Sequence, residues 1–194
     1  MWVTSDLWSP AKGTVKLAWY DWSGKPLEGT AHTPASKPFQ VGGLNSTQVF
    51  HTNLKKMTTI DPKNAVLHMS VTAEGTFPNS PEDQIVTFNH ENFFSPAHLS
   101  KAKIVDPGLT LDYSEETGNF TVKATSGIAA WTWLDYDNNG ETGVKTVGNF
   151  DSNGFWLLPG QERQVGFKVK KDLTDGRWVE GVTVQSIWNN TLKE

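Results

Sequence analysis

The residues best suited to chemistry in this chain are its carboxylates, its five histidines and its nine tryptophans. Asp135-Tyr136-Asp137-Asn138-Asn139-Gly140 matches the opening of a calcium loop, with oxygen ligands at alternate positions and glycine at the sixth. The twelfth position is Thr146, where a bidentate glutamate belongs, and strand-like sequence flanks the motif. Asn139-Gly140 is equally a hairpin turn, since both residues tolerate positive φ. His90-Glu91 opens like a zinc-protease helix, but Phe94 stands where the second histidine should be. His32, His51, His68, His90 and His98 show no paired metal spacing and are expected as surface or hydrogen-bonded residues, so no metal and no cofactor is expected.

Hydrolysis of a glycosidic bond usually takes two carboxyl groups facing one sugar, one of them kept protonated by its surroundings. The acidic residues Glu82-Asp83, Glu115-Glu116 and Asp172 with Asp175 instead sit among turn-forming neighbours, where solvated loops account for them. No serine lies in a G-x-S-x-G elbow and there is no cysteine. No catalytic residue is therefore assigned. The tryptophans are the remaining resource, because an exposed indole stacks on the apolar face of a pyranose. Trp8, Trp22 and Trp178 lie in or near turns, and Trp22 and Trp178 are the candidate carbohydrate contacts. Burial against a neighbouring domain is the competing reading for Trp8, Trp22 and Trp156. Trp19, Trp131 and Trp133 lie within alternating strands and are expected in cores.

Those side chains need a scaffold, and its period is two. Thr14 to Trp19 alternates with Val15, Leu17 and Trp19 on one face. Residues 66–71, 84–88, 120–124, 131–134, 165–169 and 179–187 give further candidate strands, separated by Gly, Pro, Asn and Asp clusters. Long helical periodicity is absent. The predicted fold is all-β: two immunoglobulin-like antiparallel β-sandwich domains in tandem, over 1–98 and 99–194, because 194 residues hold two sandwiches of roughly 100 residues each. The boundary is placed where alternation lapses around residues 92–98. Trp19-Tyr20-Asp21 and Trp133-Leu134-Asp135 echo one another, so each tryptophan is expected at the centre of its sandwich.

Apolar residues make up 37% of the chain, enough for packed cores, yet no run approaches a membrane-spanning length. A net charge of -4 with scattered lysines makes nucleic acid and membrane surfaces poor partners. Without cysteine, redox chemistry says nothing about compartment. Three N-x-Ser/Thr triplets, at Asn45, Asn119 and Asn189, are candidate glycosylation sites and favour secretion. Met1-Trp2-Val3-Thr4-Ser5-Asp6 is no signal peptide, which leaves an intracellular protein or an internal piece of a longer one.

The stretch Asn149-Phe150-Asp151-Ser152-Asn153-Gly154-Phe155-Trp156-Leu157-Leu158-Pro159-Gly160-Gln161-Glu162 resembles a signature near the end of β-mannosidases of glycoside hydrolase family 2, with Ser152 interrupting the usual Asp-Asn pair and Gln161 where an acidic residue is commoner. Trp2 to Leu7, with Leu17 to Gly24, resembles the start of the domain after the catalytic barrel in that family. Phe93 to Leu99 resembles the connection into the last domain. The resemblance implies a secreted, exo-acting, retaining enzyme that removes terminal β-D-mannose, its catalytic glutamates on a (β/α)8 barrel upstream of this segment. The implied partners are that barrel and the N-terminal domains of the same enzyme, together with mannose-containing oligosaccharides. A related exo-β-glucosaminidase carries similar trailing domains, and a carbohydrate-binding module or a stand-alone adhesion sandwich are the other readings. The Leu157-Leu158-Pro159-Gly160 stretch is expected to be scaffold, with Phe155, Leu157 and Leu158 buried and Pro159-Gly160 turning the chain into the next strand.

Overall fold

In the computed structural model, the described residues are 1–28, 33, 35–54, 60–77, 84–136 and 146–191. They form an all-β chain of thirteen antiparallel strands in two compact units. The first comprises Met1–Asp21 and Lys25–Ala102, the second Trp22–Gly24 and Lys103–Glu194.

The first unit contains β1 (Trp2–Ser5), β2 (Ala11–Tyr20), β3 (Ser36–Val41), β4 (Asn45–Gln48), β5 (Val66–Gly75) and β6 (Val86–Phe94). One sheet runs β3-β2-β5-β6 and a two-stranded sheet pairs β1 with β4. The alternation of β2 sends Val15, Leu17 and Trp19 into a core shared with Val49, Phe50, Ala65 and Leu67. Trp19 is 3% exposed and fills the centre assigned to it, its indole N–H donating to the Thr33 hydroxyl over 3.0 Å. β2 and β5 approach so closely at Gly13 that a Cβ there would lie 2.1 Å from the Thr72 carbonyl oxygen, which is why the position lacks a side chain. β3, with Pro38 inside it, occupies a sheet edge, where a missing N–H costs no ladder bond.

The second unit contains β7 (Leu109–Ser114), β8 (Asn119–Ala124), β9 (Ala129–Tyr136), β10 (Thr146–Phe150), β11 (Phe155–Leu157), β12 (Glu162–Asp172) and β13 (Val182–Gln185). A sheet ordered β10-β12-β8-β7 and a sheet ordered β11-β9-β13 make the four-plus-three arrangement of a seven-stranded immunoglobulin-like sandwich. Phe120, Val122 and Ala124 alternate inward from β8 and meet Val165, Leu134, Phe155, Leu157 and Val182.

Three expectations are corrected here. Trp133 does not fill the core: Thr132 and Leu134, at 0% and 2% exposure, point inward from β9 and Trp133 lies on the other face. The aromatic volume comes instead from Phe120 and Phe155, with Phe150, Phe167 and Trp178 packed against them. β9 meets those rings with Ala129 and Thr132, small enough to keep the interior at close-packed density. Trp131 is likewise not a core residue but 50% exposed. Residues 179–187 are not one strand. A 3-10 turn at Arg177–Gly181, the short β13 and a second 3-10 turn at Ile187–Thr191 divide them.

The Leu157-Leu158-Pro159-Gly160 stretch does act as scaffold. Phe155 and Leu157 are buried, Leu158 half-buried. Pro159 and Gly160 take the two central positions of a turn in which Gln161 N–H donates to the Leu158 carbonyl over 2.9 Å and Gly160 has φ 84. A positive φ after proline is the type II pattern that favours glycine. The Gln161 side-chain oxygen accepts from Leu158 N–H over 2.7 Å, and Gly160 N–H reaches the Ala124 carbonyl over 2.8 Å, tying the turn to the end of β8.

Candidate interaction surface

The described tryptophan candidates have definite places. Trp22 belongs to the second unit, is 0% exposed and stacks on Trp156 with ring centroids 6.1 Å apart and planes 28° from parallel. The expected exposed platform at Trp22 is therefore corrected: neither face of its indole is open to a sugar. Its backbone is engaged too, since Ile128 N–H donates to the Trp22 carbonyl over 2.9 Å. Trp178 is half-buried, with Phe167, Tyr113 and Phe120 at centroid distances of 5.2, 5.6 and 6.1 Å. Its ring closes one side of the core.

Alternation and size both point Trp131 inward in the sequence, yet it lies at the surface. Its backbone has φ 51, the left-handed region, and β9 and β11 shift register between Phe155 and Leu157 opposite it. Such a bulge bends the strand and re-aims a side chain. Trp131 packs edge-to-face on Trp156, centroids 6.2 Å apart and planes 61° apart, and turns the rest of its ring to solvent. The bulge is braced by Asn153, whose carboxamide oxygen accepts from Leu134 N–H over 2.7 Å while its NH2 donates to the Leu134 carbonyl over 3.0 Å. On the adjoining register, Trp133 opposes Gln185 and Asp135 opposes Thr183.

Asn45 is exposed at the start of β4, its side-chain oxygen accepting from Ser46 N–H over 2.7 Å. Asn119 is half-buried where β8 begins after the tight turn at Gly118. Asn189 is half-buried in the last 3-10 turn, where its side-chain oxygen caps Ser186 N–H over 2.9 Å.

Among the described residues no group of three or more His, Asp or Glu is placed to hold a metal ion. Asp137 to Lys145, within the calcium-like stretch, and His32, Glu82 and Asp83 lie outside the described residues. His68 sits on the outer face of the first unit's sheet, with Nε2 3.4 Å from Glu91 and its ring 4.8 Å from Phe93. His98 shares a 2.8 Å hydrogen bond with the Ser100 hydroxyl. Among the described acids, Asp172 is the one whose ionisation is clearly biased. Thr174, through its hydroxyl at 2.6 Å and its N–H at 2.8 Å, holds the carboxyl below the usual carboxylate range, with Gly176 N–H and the Thr146 hydroxyl adding to the effect. Those contacts shape the turn after β12. A carboxylate so committed to its own backbone has no proton to give a leaving group.

Among the described residues of the first unit, a cleft of about 690 Å³ lies between β1 and the four-stranded sheet. Val3, Phe39, Met69, Val71 and Phe88 line it, and His90 and Asn92 stand at the part of β6 that the two-stranded sheet leaves exposed.

Two sandwich units in tandem along the chain define a pair of immunoglobulin-like domains. The chain divides between two domain families of mannosidases: residues 1–96 match the mannosidase Ig/CBM-like domain and residues 104–190 match an Ig-fold domain of mannosidases. Over all 194 residues it is 50% identical to β-mannosidase A of Aspergillus flavus, and it is 47% identical over 193 residues to that of Aspergillus niger. β-Mannosidase A of Aspergillus fumigatus is 39% identical over 194 residues. In each case all of this chain is covered, but only 20% of the relative. The chain thus spans a fifth of the length of the curated relatives it matches.

Proposed function

We propose that this chain is the non-catalytic accessory portion of a β-mannosidase that removes terminal β-D-mannose, and that it stabilises a catalytic barrel belonging to the same enzyme. The observation that carries this reading is its unbroken match, at 50% identity, to a fifth of a β-mannosidase A. Both units supply packed cores and structural turns, and Asp172, whose carboxyl is held below the usual range, is used to build a loop. The test is reconstitution. The chain alone should not release p-nitrophenol from p-nitrophenyl β-mannoside. The remaining portion of the enzyme, produced without the chain, should unfold at a lower temperature and regain stability and activity when the two are co-expressed. Hydrolysis by the chain alone, or a remainder with full stability and activity by itself, would sink the proposal.

Secretion belongs to the same proposal. It is supported by Asn45-Ser46-Thr47, an acceptor triplet on an exposed strand. Treatment of the protein from its source with an N-glycosidase should lower its mass; an unchanged mass would remove this support.

A further inference from the structure

A bulky residue with a left-handed backbone costs folding free energy, and such strain persists where the surrounding structure imposes it, commonly at functional sites. Trp131 has φ 51 and remains 50% exposed, so burial does not repay it. The bulge that imposes this geometry is held along the β11 edge of β9, by the Phe155–Thr132 and Leu157–Ala129 pairings on either side of the shift and, further along, by Leu134 N–H donating to the Asn153 side-chain oxygen and the Asn153 NH2 donating to the Leu134 carbonyl. Trp156 then holds the indole at 61°, leaving a corner of two aromatic walls instead of a flat apolar patch. We propose that this corner, on the outer face of the β11-β9-β13 sheet, is a binding platform for the pyranose rings of an oligosaccharide, with Trp131 as the stacking residue.

The neighbouring groups decide between a sugar and a protein partner. The core of a protein interface is depleted of acidic side chains. Here the strand that carries Trp131 continues outward to exposed Asp135, and exposed Gln185 lies opposite Trp133. An exposed carboxylate and carboxamide on the same three-stranded sheet as the aromatic corner match an elongated ligand with C–H faces and a rim of hydroxyls, each of which can pair with a polar group. The site is separate from Trp178, whose ring is spent on the core, and it does not depend on the chain acting as a scaffold.

The experiment is calorimetric titration of the intact 194-residue chain with β-1,4-linked mannohexaose and, as a second pyranose ligand, maltohexaose. Saturable binding of mannohexaose, alone or with maltohexaose, is expected. Trp131→Ala and Trp131→Gly should weaken it about tenfold or more, and Trp8→Ala, at a 73% exposed tryptophan of the first unit, should leave it unchanged. Because glycine adopts positive φ freely, Trp131→Gly should melt no lower than the unmodified chain. Absence of saturable binding to either sugar overturns the proposal. So does binding that survives loss of Trp131, or a Trp131→Gly chain that melts well below the original, which would make the residue structural. If no sugar binds but Trp131→Ala abolishes association with the rest of a β-mannosidase, the face is a protein interface and the proposal is wrong.

Discussion

At the scale of single residues, burial and hydrogen bonding separate structural groups from available ones. Phe120 is 1% exposed and packs against Tyr113, Phe150 and Trp178, within the core of the second unit. Phe120→Ala should lower unfolding free energy by about 3–5 kcal/mol, measured by denaturant titration, through lost transfer energy and the cavity left behind. Asp172 gives a prediction in pH. Its folded-state pKa is depressed, so its contribution to stability is present above the ordinary carboxylate range and lost as pH falls through the depressed value. Asp172→Asn should therefore melt below the unmodified chain at pH 7, and the two melting curves should converge in strong acid. Curves that remain equally separated at every pH would mean the Asp172 turn acts through geometry and not through charge.

At the scale of elements, close approach and turn type set the demands. Gly13 is the contact point of β2 and β5, and the obstructing atoms are backbone. Gly13→Ala should destabilise the first unit by about 1–3 kcal/mol, as overpacking does. At Gly160 the space is open but φ is 84, so Gly160→Ala meets only the left-handed backbone cost, about 1–2 kcal/mol. Thermal melts of the two variants separate a steric cause from a conformational one, because an asparagine, which tolerates positive φ, should recover part of the loss at residue 160 and none at residue 13. Much of this was legible in advance. Proline followed by glycine announced the turn, and the alternation of Val15, Leu17 and Trp19 announced β2. β4, which reads Asn-Ser-Thr-Gln, announced nothing: its residues are polar and largely exposed, and only pairing with β1 makes it a strand.

At the scale of the molecule, the chain has separate cores. Val15, Leu17, Trp19 and their neighbours belong to the first unit, and Phe120, Leu134, Val165 and theirs to the second. Scanning calorimetry should resolve two unfolding transitions, with Leu17→Ala lowering one by an amount equivalent to about 2–5 kcal/mol and Phe120→Ala lowering the other. A single transition that both substitutions shift equally would show one cooperative unit.

The sequence by itself determined the all-β class, the tandem of two sandwiches, the tryptophan at the first core and the structural character of the Leu157 to Gly160 stretch. Each is a local matter: side-chain period, turn chemistry and chain length act without knowledge of distant contacts. The tertiary structure decided which tryptophans were available. Trp131-Thr132-Trp133-Leu134 alternates equally well in either sense, so large apolar side chains seemed the inward set. Phe120 and Phe155 had already claimed that volume from other strands, leaving room at β9 only for small groups beside Leu134. Trp22, in a turn and so apparently exposed, found Trp156 more than a hundred residues along the chain. Competition for a fixed interior volume is long-range, and a strand's own residues carry no record of it.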